Sequence, residues 1–218
     1  MLTLSLEKPG AAPAKKLQLS LSKGSRFTVK VAWECNAAHR DDVDIHAIEA
    51  RNDGTGAKVS ALEHILSTYN TKKMSPSAGV LATGPDGSFS TPSGGLTHSG
   101  DIRVQGNVES IVIDGSKIST GINEIPLFAT VHKAEHGGEH ESGDSSEEEA
   151  AFADIERCTI TISDESGKEL GSYQLSQEFG DFNVVQLGSV MFDGSGWQYA
   201  PVGRGFTGTI NDVLAHFS

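Results

Sequence analysis

Acidic side chains at two turns are the residues of this chain best suited to chemistry. The stretch Gly100-Asp101-Ile102-Arg103-Val104-Gln105-Gly106-Asn107-Val108-Glu109 is a glycine-punctuated turn with an acid at each end, and it runs into the alternating segment Ser110-Ile111-Val112-Ile113-Asp114. A second acidic turn, Asp41-Asp42-Val43-Asp44, opens another apolar segment. Hard cations such as calcium take about 6–8 oxygens from carboxylates, backbone carbonyls and water. Two loops distant in sequence, each held rigid by a strand, could meet around one such ion. Asp also caps turns through its own backbone, and spacing alone favours that plainer role for Asp42 and Asp101.

Other chemistries find less support. No Gly-x-Ser-x-Gly elbow follows a strand, and Cys35 has no adjacent His, so nucleophilic catalysis has no motif to rest on. Gly203-Arg204-Gly205-Phe206-Thr207-Gly208 is glycine-rich but lacks the Lys-Ser/Thr of a phosphate loop, and reads as a tight corner. His132, His136 and His140 recur every four residues, a spacing that on a helix would line up imidazoles for zinc. Gly137-Gly138 argues against that helix, and the segment reads as a solvated acidic tether.

The elements that must position these residues are mostly strands. Phe27-Thr28-Val29-Lys30-Val31-Ala32-Trp33 and Cys158-Thr159-Ile160-Thr161-Ile162 alternate apolar and polar residues, as half-buried strands do. The second returns through Ser163–Glu169 into Leu170–Leu175, which predicts a hairpin. Leu187–Phe192, the turn Asp193–Gly196 and Trp197–Val202 repeat the plan. Many short strands joined by Gly- and Asp-rich turns predict an all-β fold, a two-sheet antiparallel β-sandwich. Helix signals are few: a short turn over Ala61–Ser67, and a terminal helix over Ile210–Phe217 set against a sheet edge. Thr71–Gly95, rich in Ser, Pro and Gly, reads as a long loop. Residues 135–149 carry seven acids and no base, an insertion between core strands that is expected to be mobile and dispensable for folding.

At 218 residues the chain can bury a core as one domain. Seventeen basic residues against 29 acids give a net charge of −12, which disfavours binding to nucleic acid. No apolar run is long enough for a transmembrane segment, and the N-terminus lacks the pattern of a signal peptide. Two cysteines, Cys35 and Cys158, do not make a disulfide framework and fit a cytoplasmic location.

Several segments together resemble the tellurite-resistance TerD family of bacterial calcium-binding stress proteins. They are Thr97-His98-Ser99-Gly100-Asp101-Ile102-Arg103, Phe128-Ala129-Thr130-Val131-His132-Lys133-Ala134-Glu135, Gly167-Lys168-Glu169-Leu170, Tyr173-Gln174-Leu175-Ser176, and the ending Gly196-Trp197-Gln198-Tyr199-Ala200-Pro201-Val202-Gly203-Arg204-Gly205-Phe206-Thr207-Gly208. The resemblance implies a β-sandwich with calcium held by loops at one end. Asp42, Asp44, Asp101 and Glu109 would supply carboxylates and Asn107 a neutral oxygen, with Glu34 and Asp114 in reserve. Departures are visible. Ile102 stands where the family has Asn, Val108 where it has an acid, and His46 in the last acidic position of the turn Asp42-Val43-Asp44-Ile45-His46-Ala47.

The expectation is therefore one domain over residues 1–218, acting as a non-enzymatic calcium-binding stress-response protein. The resemblance implies work beside other tellurite-resistance proteins, at the inner membrane surface. The alternative is a metal-independent interaction scaffold whose acidic insertion binds a basic partner through charge.

Overall fold

The protein is described by a computed structural model, over residues 19–22, 25–35, 41–102, 108–132 and 150–217. Asn107 and the acidic insertion at 135–149, with His136 and His140, lie outside the described residues.

Alternation along the strands builds two sheets. Strands are numbered along the chain. In β2 (Arg26–Cys35) the side chains of Phe27, Val29, Val31, Trp33 and Cys35 are buried and those between them face outward. β9 (Val108–Asp114) buries Glu109, Ile111 and Ile113 in the same rhythm. β11 (Ile155–Asp164) buries Ile155, then Cys158, Ile160 and Ile162, because a bulge opposite β2 between Ile155 and Arg157 shifts its phase by one residue. With β12 (Glu169–Gln174), β8 (Leu96–His98) and β7 (Phe89–Ser90), these form a sheet in the order β12-β11-β2-β9-β8-β7.

The facing sheet runs β1-β14-β13-β10-β3-β6. Its strands are β1 (Leu19–Ser22), β14 (Gly196–Phe206), β13 (Val184–Phe192), β10 (Glu124–His132), β3 (Asp42–Ile48) and β6 (Ile65–Leu66). Every ladder of both sheets is antiparallel. β4 (Arg51–Asn52) and β5 (Ala57–Lys58) make a separate small hairpin. The main core lies between the sheets, with Trp33, Phe27 and Phe152 among its largest buried side chains.

β10 is buried along nearly its whole length because both its faces are covered. Beyond the main core, Ile48, Phe128 and Val184 form a second apolar cluster with Ile210 and Val213 of the C-terminal helix Ile210–Ala215. Thr209 and Asp212 close a reciprocal capping box at its start. The helix thus packs on a sheet face, not on the edge expected from sequence, because Ile48, Phe128 and Val184 leave that face apolar. Two other expectations need correction. The expected loop 71–95 carries the short strand β7 and bridges such as Thr71 to Leu81, and the expected corner at 203–208 is strand as far as Phe206. A register shift between Gln186 and Gly188 of β13 absorbs the one extra residue of β14 near Gly203, whose φ is +59°. Both cysteines are buried thiols, not joined in a disulfide. Among the described residues no helix is long and apolar enough to cross a membrane.

Candidate metal site

Strand β3 is paired with β10 from Asp42 to Ala47, but β6 covers its other edge only at Ala47 and Ile48. The first half of β3, which carries Asp42 and Asp44, is therefore left open on one side. The chain leaving β8 and the start of β9 approach it there. β9 begins at Val108, so Glu109 sits on a strand with its side chain turned inward. Asp101 follows the turn at Gly100, whose φ is +107°, and a Cβ at Gly100 would stand 2.8 Å from the Gly87 carbonyl oxygen. Glycine is required there on both counts.

Three of the sequence-predicted ligands converge. One carboxylate oxygen each from Asp44, Asp101 and Glu109 lies within 4.8 Å of the others. Asp44 and Glu109 are buried, and Asp101 is partly exposed. Asp42 lies outside this tight group but close enough for its charge to be felt by it. Of the reserves, Glu34 pairs with the exposed Arg157, and Asp114 caps its own turn through Ser116. Both are engaged elsewhere.

Each buried carboxylate has one oxygen held and one left over. Tyr69 Oη donates to Asp44 Oδ2 at 3.1 Å, and the Ile102 amide donates to Glu109 Oε1 at 2.9 Å. Asp44 Oδ1, Glu109 Oε2 and Asp42 Oδ1 are buried without a hydrogen-bond partner among the described residues. The ion-pairing neighbours of Asp44 and Glu109 among those residues are imidazoles. His132 Nε2 lies 3.9 Å from Asp44 Oδ2, and His98 Nε2 lies 3.5 Å from Glu109 Oε2.

This arrangement makes ionisation costly. Burial first, then the charges of Asp44, Glu109 and Asp101, push Asp42 up to about 8. Burial and the charge of Asp44 push Glu109 up to about 9. Asp44 is raised as well, by burial and then by Asp101. Burial holds His98 down to about 4 and His132 below its ordinary value, so neither ring readily supplies the missing positive charge. His46, fully buried, is held well below its ordinary value too. It shares the Thr130 hydroxyl with His132, at 2.9 and 2.8 Å.

An all-oxygen group of three converging acids, in which Asp44 and Glu109 each keep a buried oxygen without a hydrogen-bond partner among the described residues, suits a hard divalent cation. Calcium fits this donor set. Sequence reasoning singled out the acids but missed Tyr69 and His98 as their supports. Tyr69 carries no local signal; His98, two residues before the Gly100 turn, had one in its position alone.

The domain model named TerD domain matches residues 4–217. The chain is 29% identical over 130 residues to the uncharacterized protein YceE of Bacillus subtilis, a match covering 58% of this chain and 62% of that protein. It is 24% identical over 128 residues to general stress protein 16U of the same organism, covering 57% of this chain and 61% of that one. The matched region thus spans about three-fifths of the length of these relatives. In fold, it is similar to the crystal structure of a homologue of the telluride resistance protein TerD from Streptomyces coelicolor. The TM-score is 0.60 at 14% identity, over 89% of this chain and 95% of that one.

Proposed function

Since the chain belongs to the TerD domain family, we propose that it is a non-enzymatic calcium-binding protein of the stress response. Asp44, Asp101 and Glu109 would hold the ion, with Asp42 adding charge beside them. The observation that carries this reading is the pair of buried oxygens, on Asp44 and Glu109, that have no hydrogen-bond partner among the described residues. Burying a carboxylate without a partner is expensive, and a fold that retains several in one place has a use for them. Bound calcium supplies positive charge and a template for oxygens, and needs no redox or nucleophilic chemistry.

Tyr69 and the Ile102 amide orient the two buried carboxylates, and Gly100 lets the loop carrying Asp101 approach. A cytoplasmic location and work beside other tellurite-resistance proteins at the inner membrane surface belong to the same proposal. Its test is thermal melting of chelator-treated protein with and without calcium. At a calcium concentration 100 times Kd the stabilisation is about 2.7 kcal/mol, or roughly 5–10 °C in a domain of this size. A melting temperature indifferent to calcium would remove the reading.

A further inference from the structure

We infer that His98 is a positioning and specificity residue of this acidic site, a neutral imidazole locked so that it can donate to Glu109 and cannot itself bind a metal. The specificity part rests on the calcium reading above; the state of the ring does not. The Gly100 amide donates to His98 Nδ1 at 3.0 Å. A ring nitrogen that accepts a hydrogen bond carries a lone pair, so the single proton of the neutral ring is on Nε2.

That tautomer excludes ligation by either nitrogen. The Nδ1 lone pair is committed to Gly100, and Nε2 has none while it carries the proton. Reversing the tautomer would set two N–H donors against each other at a ring that is 0% exposed. The ring is also held in place. Phe89 stacks on it with centroids 4.7 Å apart and planes 15° apart, and Gly100 is confined by the Gly87 carbonyl.

Nε2 lies 3.5 Å from Glu109 Oε2, and both atoms are buried; the Ile45 backbone faces both groups, its carbonyl toward the His98 ring and its amide toward the Glu109 carboxylate. The separation is too long for a good hydrogen bond, and a small rotation of the carboxylate closes it. Glu109 is then presented by neutral donors, the Ile102 amide on Oε1 and His98 on Oε2, beside the Ile45 amide that also faces the carboxylate. Imidazole is a preferred ligand of zinc and copper. By keeping the ring nearest Glu109 out of coordination, the fold keeps this part of the site all-oxygen and suited to hard cations.

Imidazole nitrogen signals of ¹⁵N-labelled protein test the ring state by NMR. In chelator-treated protein His98 is expected to show a protonated Nε2 and an unprotonated Nδ1, and to retain both when calcium or zinc is added. A protonated Nδ1, or loss of the Nε2 proton with zinc, would overturn the assignment whether or not calcium binds. A second arm compares His98→Asn, which keeps an acceptor for Gly100 but stops short of Glu109, with His98→Gln, whose amide reaches the Nε2 position. Calcium affinity should fall about 10–100-fold in His98→Asn and largely recover in His98→Gln. Wild-type affinity in His98→Asn, or equal loss in both variants, would overturn the positioning role. A wild-type protein that binds no calcium contradicts the calcium reading alone, and the ring signals then decide the state of His98.

Discussion

Asp44 and Glu109 owe their chemistry to what surrounds each oxygen. In Asp44→Asn the Tyr69 hydroxyl can still donate to the remaining oxygen, and an amide replaces the partnerless Oδ1. Calcium affinity should fall, while chelator-treated protein at about pH 8 should melt higher than wild type by at least about 2–4 °C, the shift given by roughly 1 kcal/mol in a domain of this size. Differential scanning calorimetry reads both effects, and a chelator-treated variant that melts lower would show that the Asp44 charge is compensated in the fold. The pH dependence has a definite sign. Asp42 and Glu109 are raised to about 8 and about 9, so their contribution to stability is full below the ordinary carboxylate range and is lost as pH rises through those values. Chelator-treated protein should therefore melt at a higher temperature at about pH 5 than at about pH 9. Calcium binds the ionised forms, so its affinity should rise over the same window. A melting temperature that climbs with pH in chelator would contradict the raised carboxyls. The acids themselves were legible in the sequence. Tyr69 was not, and His98 was marked only by its place before Gly100, since their roles arise from contacts with residues 25 and 11 positions away.

Strands were the most legible elements, and the reason is their period of two. Phe27 to Trp33 and the hairpin returning from Ile162 were readable because apolar residues alternate cleanly along them. Where alternation breaks, legibility ends. The bulge near Ile155 and the irregular stretch of β14 around Gly203 have no one-dimensional signature. Nor did the sequence show that β6 would stop short and leave half of β3 open, although that gap is what admits Glu109 and Asp101. The close approach of β13 and β14 gives a prediction at this scale. A Cβ at Gly188 would stand 2.5 Å from the Ala200 carbonyl oxygen and 2.6 Å from Tyr199 Oη. Tyr199 Oη already donates to the Leu187 carbonyl at 2.9 Å, so the strands must part. Gly188→Ala should destabilise by about 1–3 kcal/mol, read as a lower urea midpoint with unchanged slope. A midpoint equal to that of wild type would mean that the hairpin yields freely.

The site joins the two layers of the molecule. Asp44 belongs to the sheet of β3 and β10, and Glu109 to the sheet of β2 and β9, with Asp101 on the segment that leads to it. A cation shared by them ties the layers together at one place where the cation-free protein has crowded carboxyl groups that resist ionisation. Calcium should therefore slow amide hydrogen exchange in β3 and β9 alike, and protection confined to the Asp101 segment would argue against a link between sheets. Charge at the molecular scale points the same way, since a chain of net charge −12 attracts cations to its surface before any specific contact. The decisive measurement is a calorimetric titration of chelator-treated protein with calcium, run on wild type, Asp44→Asn and Glu109→Gln. Wild type should show saturable binding that weakens at least about tenfold in each variant, because calcium affinity follows the charge of the ligand set. Absence of binding in wild type, or binding unchanged in both variants, would contradict a calcium site built on Asp44, Asp101 and Glu109.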